Sequence, residues 1–154
     1  MNAVSVRLAR LAEAKPMSAL LIASITELCG ADHKGDAAFL ARWLSNKTPA
    51  AVRAMFANAE ITLYVAERAG EIVAVGCIDA SGQIRLNYVA PDQRFTGVSK
   101  ALLAALEAEL KARGRTTAFL TSTVTARRFY RAAGWHDGDK AGGDDSGYPM
   151  EKRL

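Results

Sequence analysis

The chain has little of what most reactive-site chemistries require. Its two cysteines, Cys29 and Cys77, stand far apart in 154 residues with no paired spacing. That pattern excludes a disulfide framework and is expected of buried, reduced thiols in a cytoplasmic protein. Its two histidines, His33 and His136, stand alone, so no metal site is expected. No apolar run approaches the ~20 residues that cross a bilayer, and no membrane partner is expected. Met1 to Arg10 alternates instead of showing the charged segment, apolar block and cleavage site of a secretory leader. The dinucleotide fingerprint Gly-x-Gly-x-x-Gly, the Gly-x-x-x-x-Gly-Lys-Ser/Thr loop and the Gly-x-Ser-x-Gly elbow are missing. Their absence removes support for a dinucleotide enzyme, a P-loop nucleotidase and a serine hydrolase.

Charge excludes another class. The net charge is +4, but basic residues are interleaved with acids, as around Glu107, Glu109 and Lys111. Only Arg127, Arg128 and Arg131 cluster. A nucleic-acid protein would more often show a basic stripe with interleaved aromatics, so no nucleic-acid partner is expected.

What is present is an alternating order of elements. Half the residues are hydrophobic and about a quarter charged, enough for a single domain over 1–154 with one sizeable core. Alternation of Val4, Val6 and Leu8 predicts an opening strand. A helix with Pro16 in its first turn runs to about Cys29, and Gly30 to Gly35 reads as a loop. Asp36 to Leu44 is apolar at helical spacing, and Thr48-Pro49 reads as the cap and first residue of another helix. Ile61 to Glu67, Ile72 to Asp79 and Gln83 to Val89 are predicted strands, with hairpin turns at Gly70 and at Ser81-Gly82. Val98, Leu102, Leu106 and Leu110 form the stripe of a long helix that Gly114 ends. Thr116 to Thr121 is a predicted strand, Val124 to Ala133 a helix, Asp144 to Ser146 an exposed loop, and Tyr148 to Arg153 an edge strand. This order predicts an α/β chain with a mixed sheet and helices on both faces.

Residues 86–99 say most about function. An extended run reaches Pro91, a turn carries Gln93 and Arg94, and Gly97 opens the long helix. Strand, glycine-bearing turn and helix start aim free N–H groups and a positive dipole end at one point, a ready site for phosphate.

The spelling of this segment, Val89-Ala90-Pro91 followed by Arg94-Phe95-Thr96-Gly97-Val98-Ser99, resembles the coenzyme-A loop of the GNAT superfamily of N-acetyltransferases. Ser99 stands where the family usually has Gly or Ala. Farther on, Thr125 to Trp135, with Phe129-Tyr130 and Gly134-Trp135, resembles the family's second signature. The two occur in the family's order and together cover roughly residues 60–135.

The resemblance implies a GNAT-like fold with acetyl-CoA as cosubstrate and no metal. It places the pyrophosphate on Arg94, Phe95, Thr96, Gly97, Val98, Ser99 and Lys100, with Arg127 near the phosphate-rich end. Backbone groups of Asn87, Tyr88 and Val89 would bond the pantetheine arm and the acetyl carbonyl, in a gap between the strands ending at Val89 and Thr121. Thr123 stands where the family has an asparagine that contacts that arm. Tyr130 matches the tyrosine that protonates or stabilises the leaving thiolate. The general base is not matched: some members carry a glutamate where this chain has Ala118, which leaves Asp79, Glu67, Glu60 and His33. The implied acceptor is a small-molecule amine, or a protein N-terminus or lysine, and a homodimer is compatible. The rival reading is a non-catalytic acyl-CoA-binding or interaction module with the same fold.

Overall fold

A computed structural model describes residues 3–138 and 147–154; the loop expected at Asp144 to Ser146 lies outside them. Among the described residues no helix is long and apolar enough to cross a membrane. Four strands, β1 (Ser5–Leu8), β2 (Ile61–Arg68), β3 (Glu71–Asp79) and β4 (Ile84–Val89), form an antiparallel sheet in sequence order. A second antiparallel sheet has the order β5 (Thr117–Ser122), β7 (Tyr148–Arg153), β6 (His136–Asp137). The sheets join through a parallel bridge between Gln83 and Phe119.

The helices are α1 (Ala14–Leu28), α2 (Gly30–His33), α3 (Ala37–Leu44), α4 (Pro49–Phe56), α5 (Val98–Ala112) and α6 (Arg127–Ala132). Period-two alternation on β2 and β3 sorts their side chains to two faces. Leu63, Val65, Val75 and Cys77 pack with Met17 and Leu21 of α1 and Val52 of α4. Ala66, Ala74 and Ile78 pack with Val98, Leu102, Leu106 and Leu110, the stripe of α5. Each buried Val, Leu, Ile or Met among these contributes roughly 2 kcal/mol. Gly76 permits the close seat of α5: a Cβ there would meet methyl groups of Leu102 and Leu106 at 3.1 Å.

Three expectations need correction. Gly30 to Gly35 is not all loop, because Gly30–His33 closes one helical turn that Lys34 ends at φ 52°. Helix α6 begins at Arg127 rather than Val124, since the preceding turn is held by Asp32 from a distant part of the chain. The last strand is not an edge: β7 lies between β5 and β6. The two-residue β6 is too short to leave a period in the sequence.

Candidate active site

Strand β4 carries a one-residue offset. Cys77 pairs with Leu86 but Ile78 with Ile84, so Arg85 is the extra residue of a β-bulge, which bends a strand and increases its twist. Beyond the Gln83–Phe119 bridge β4 and β5 belong to different sheets, and a cavity of about 480 Å³ lies between them. The end of α1 (Ser24, Leu28, Cys29), the α5 entrance and α6 complete its wall.

Alternation decides which β4 backbone groups face this gap. Ala90 N–H donates to Val73 O at 2.8 Å, and Tyr88 pairs with Val75 in the same register. The N–H and C=O of Tyr88 therefore turn toward β3, while those of Asn87 and Val89 turn toward the gap. Tyr88 contributes its side chain instead, where two cavities meet.

At the α5 entrance the chain takes two left-handed steps, Phe95 at φ 64° and Gly97 at φ 88°. A Cβ on Gly97 would meet nothing within 4 Å, so the glycine is required by its φ and not by crowding within the protein. Arg94 N–H is used by Pro91 O and Ala101 N–H by Gly97 O, but every backbone N–H from Phe95 to Lys100 lacks an acceptor among the described residues. Arg68 of β2 braces the loop from behind, donating to Gln93 Oε1 (2.8 Å), Thr96 Oγ1 (3.1 Å) and Thr96 O (3.2 Å). Nothing in the local sequence points to this arginine.

Of the residues singled out from the sequence, Asn87, Tyr88, Val89, Arg94, Phe95, Gly97, Ser99, Lys100, Thr123 and Tyr130 line the cavity. Thr96 and Val98 do not: the Thr96 hydroxyl closes the loop on Gln93 O at 2.6 Å, and the Val98 side chain is buried in the core. Their N–H groups still belong to the cradle. Arg127 lies outside the cavity wall. Its guanidinium bonds Asp137 at 3.0 Å beside Arg131 and stacks 4.1 Å over Tyr148, tying α6 to the second sheet. Phe95 is 88% exposed with the Arg94 guanidinium 4.6 Å above its ring.

Tyr130 is 6% exposed. Its ring sits edge-on to Phe129 and Trp135 at 5.3 and 5.9 Å. Trp135 is fixed in turn by Glu107, which also accepts from Lys152. Asn87 Nδ2 donates to Tyr130 Oη at 3.1 Å, leaving the hydroxyl hydrogen to point elsewhere.

The sequence-level candidates for a base are all placed elsewhere. Glu67 pairs with Arg7, Asp79 caps the β3–β4 turn, and both ring nitrogens of His33 bond the backbone, at Thr26 O and Gly35 N–H. None of Glu60, Glu67, Asp79 or His33 lines this cavity or its neighbour. Ala118 is buried in the core. The acid that sequence reading missed is Asp32. It accepts from Val124 N–H at 2.6 Å, Thr125 N–H at 3.3 Å and Thr125 Oγ1 at 2.7 Å, and so sets the turn that delivers Tyr130.

Burial pushes the Tyr130 hydroxyl up to about 12 against the opposing Asn87 bond. It pushes the Cys77 thiol up to about 11 and the Cys29 thiol up to about 12. These groups are neutral when protonated, so the folded chain keeps their protons to higher pH than the unfolded chain. The stability they contribute is complete below pH ~8.5, where unfolded cysteine begins to ionise, and is lost as pH rises toward 12. Tyr130 alone accounts for about 3 kcal/mol between pH ~10 and ~12. Urea midpoints should fall between pH 8 and pH 10.5, and a midpoint constant over that range contradicts the assignment.

Strands that part around a cleft, with a cradle of unpaired N–H groups at one end, define a class of protein with a site suited to a phosphate-bearing ligand between two sheets. Comparison with known proteins narrows this. The model of the acetyltransferase (GNAT) domain matches residues 29–154, and the chain belongs to that family. Its fold is shared with a GCN5-related N-acetyltransferase from Rhodopseudomonas palustris at 21% identity and TM-score 0.87, over 100% of this chain and 98% of that one. PaiA N-acetyltransferase from Thermoplasma acidophilum, solved in complex with coenzyme A, is similar at 16% identity and TM-score 0.79, over 99% of both chains. A GNAT-family acetyltransferase from Staphylococcus aureus is similar at 15% identity and TM-score 0.68, over 99% of both. No curated protein matches by sequence.

Proposed function

We propose that the protein is an N-acetyltransferase that moves an acetyl group from acetyl-CoA directly to a primary amine, with both substrates bound together. The observation that carries this reading is the cradle itself, every N–H from Phe95 to Lys100 unpaired at a helix start. It opens onto a cleft whose far wall presents the Tyr130 hydroxyl. A pyrophosphate fits such a cradle because N–H groups and helix dipole act together, and Lys100 and Arg94 add charge.

Three jobs fall to the chain. Val89 N–H faces the gap and would donate to the acyl oxygen as that oxygen gains charge. The walls hold the reacting carbon beside the incoming nitrogen. Tyr130 would donate its remaining hydrogen toward the departing sulfur. Burial pushes this hydroxyl up to about 12, which favours hydrogen-bond stabilisation of the sulfur over full proton transfer to it. The incoming ammonium gives one proton to water before attack, and the second, lost from nitrogen as the carbon–sulfur bond breaks, passes through water to the departing thiolate.

The rival, a non-catalytic acyl-CoA binder, draws on one observation. The carboxylate in the described cavity walls is Asp32, already accepting three hydrogen bonds. Coenzyme release from acetyl-CoA, followed with a thiol reagent over a panel of primary amines, separates the two. Release that depends on the amine, with a rate climbing toward the amine's own pKa, is the expected result. Tight acetyl-CoA binding by calorimetry with no release for any amine would establish the rival.

A further inference from the structure

The second cavity, about 660 Å³, adjoins the first at Arg85, Tyr88 and Thr123. If the first holds the acyl donor, this one receives the acceptor, and the choice of acceptor made below rests on that reading of the first. The described wall of the second carries four cations, Lys34, Arg42, Lys47 and Arg85, and one carboxylate, Asp32. None of the four forms an ion pair among the described residues, and Asp32 is occupied by the turn before α6.

Lys47 is unusual among them, being only 8% exposed. Ser18 Oγ donates to its carbonyl at 2.5 Å, which pins the backbone between α3 and α4. Its ammonium donates to Asn46 Oδ1, also in the wall. An ammonium has three donors, so two have no protein partner among the described residues. Charged groups this deeply buried are ordinarily paired.

We propose that the acceptor amine carries an anionic group, carboxylate or phosphate, that completes the Lys47 ammonium. The acceptors are then amino acids or phosphorylated amines, not polyamines or polycationic antibiotics, whose additional charges would face four like charges. Trp43 and Tyr88 give the same cavity flat apolar walls. Burial holds the Lys47 ammonium below the usual lysine range, a cost that a bound anion removes.

Calorimetry with coenzyme A present tests this without requiring turnover. The probes are L-phenylalanine against L-phenylalaninamide, O-phosphoethanolamine against ethanolamine, and 1,5-diaminopentane. One anionic probe should bind at least ~10-fold more tightly than its neutral mate and than the diamine, the size expected of a charged hydrogen bond. In Lys47→Met, which keeps the aliphatic stem, that preference should fall below ~3-fold. The phenylalanine and phosphoethanolamine arms distinguish carboxylate from phosphate. Neutral or dicationic probes that match every anionic one, no binding by any probe, or a preference surviving in folded Lys47→Met would overturn the proposal. Should Lys47→Met fail to fold, the wild-type comparison alone decides. Anion preference without acetyl transfer would fault the catalytic reading and leave this one standing; transfer confined to neutral amines would do the reverse.

Discussion

Tyr130→Phe should lower turnover by ~100- to 1,000-fold while the Michaelis constant for acetyl-CoA barely moves, the range expected for one donor aimed at developing charge. The ring stays wedged between Phe129 and Trp135, so packing survives. Asn87 loses its acceptor but faces the cleft, where water can replace the hydroxyl. A folding cost near 1 kcal/mol is therefore expected. Steady-state kinetics with an acceptor from the amine panel, with thermal melting as control, measures both effects. A variant that melts normally and keeps near-full turnover would make Tyr130 a packing residue, with sulfur departure assisted by water.

Gly97→Glu should cost acetyl-CoA ~100-fold or more in affinity and leave the fold intact. A Cβ at Gly97 meets no protein atom within 4 Å, so the penalty at that atom inside the protein is the left-handed backbone at φ 88°, about 1–2 kcal/mol. Toward a pyrophosphate the same carboxylate projects a like charge into the N–H cradle, which costs several kcal/mol, and each 1.4 kcal/mol is about tenfold in affinity. Gly97→Ala carries the strain without the charge and should lose far less. Equal calorimetric affinity in folded Gly97→Glu and wild type would remove the phosphate from this loop.

Much of the fold and the glycine-bearing part of the candidate site were legible along the chain because their signals are local. The α5 stripe, the Thr48-Pro49 start of α4 and the hairpin at Gly70 each depend on residues within one or two turns, where periodicity and backbone preference act directly. The loop from Val89 to Ser99 and the Phe129-Tyr130 pair were legible for the same reason, because one short run of chain builds each of them. Arg127 shows where that reasoning stops. A basic residue on the right helix looked suited to phosphate, but Asp137 and Tyr148 hold its guanidinium, and both lie on strands that only the folded second sheet brings beside α6.

By itself the sequence determined the family, the order of elements and the glycine-bearing entrance to α5, since these follow from contiguous residues and their conformational limits. Only the tertiary structure decided which β4 amides face the gap, because that depends on register against β3. It alone brought Arg68 behind the loop and Asp32 under the turn before Tyr130, across separations that no local pattern spans. It alone left Lys47 buried in a cavity whose described wall carries four cations and one carboxylate. Burial and pairing of charge are properties of surfaces that meet after folding, so the glycine-bearing loop is written along the chain and the lining of the second cavity is written in its packing.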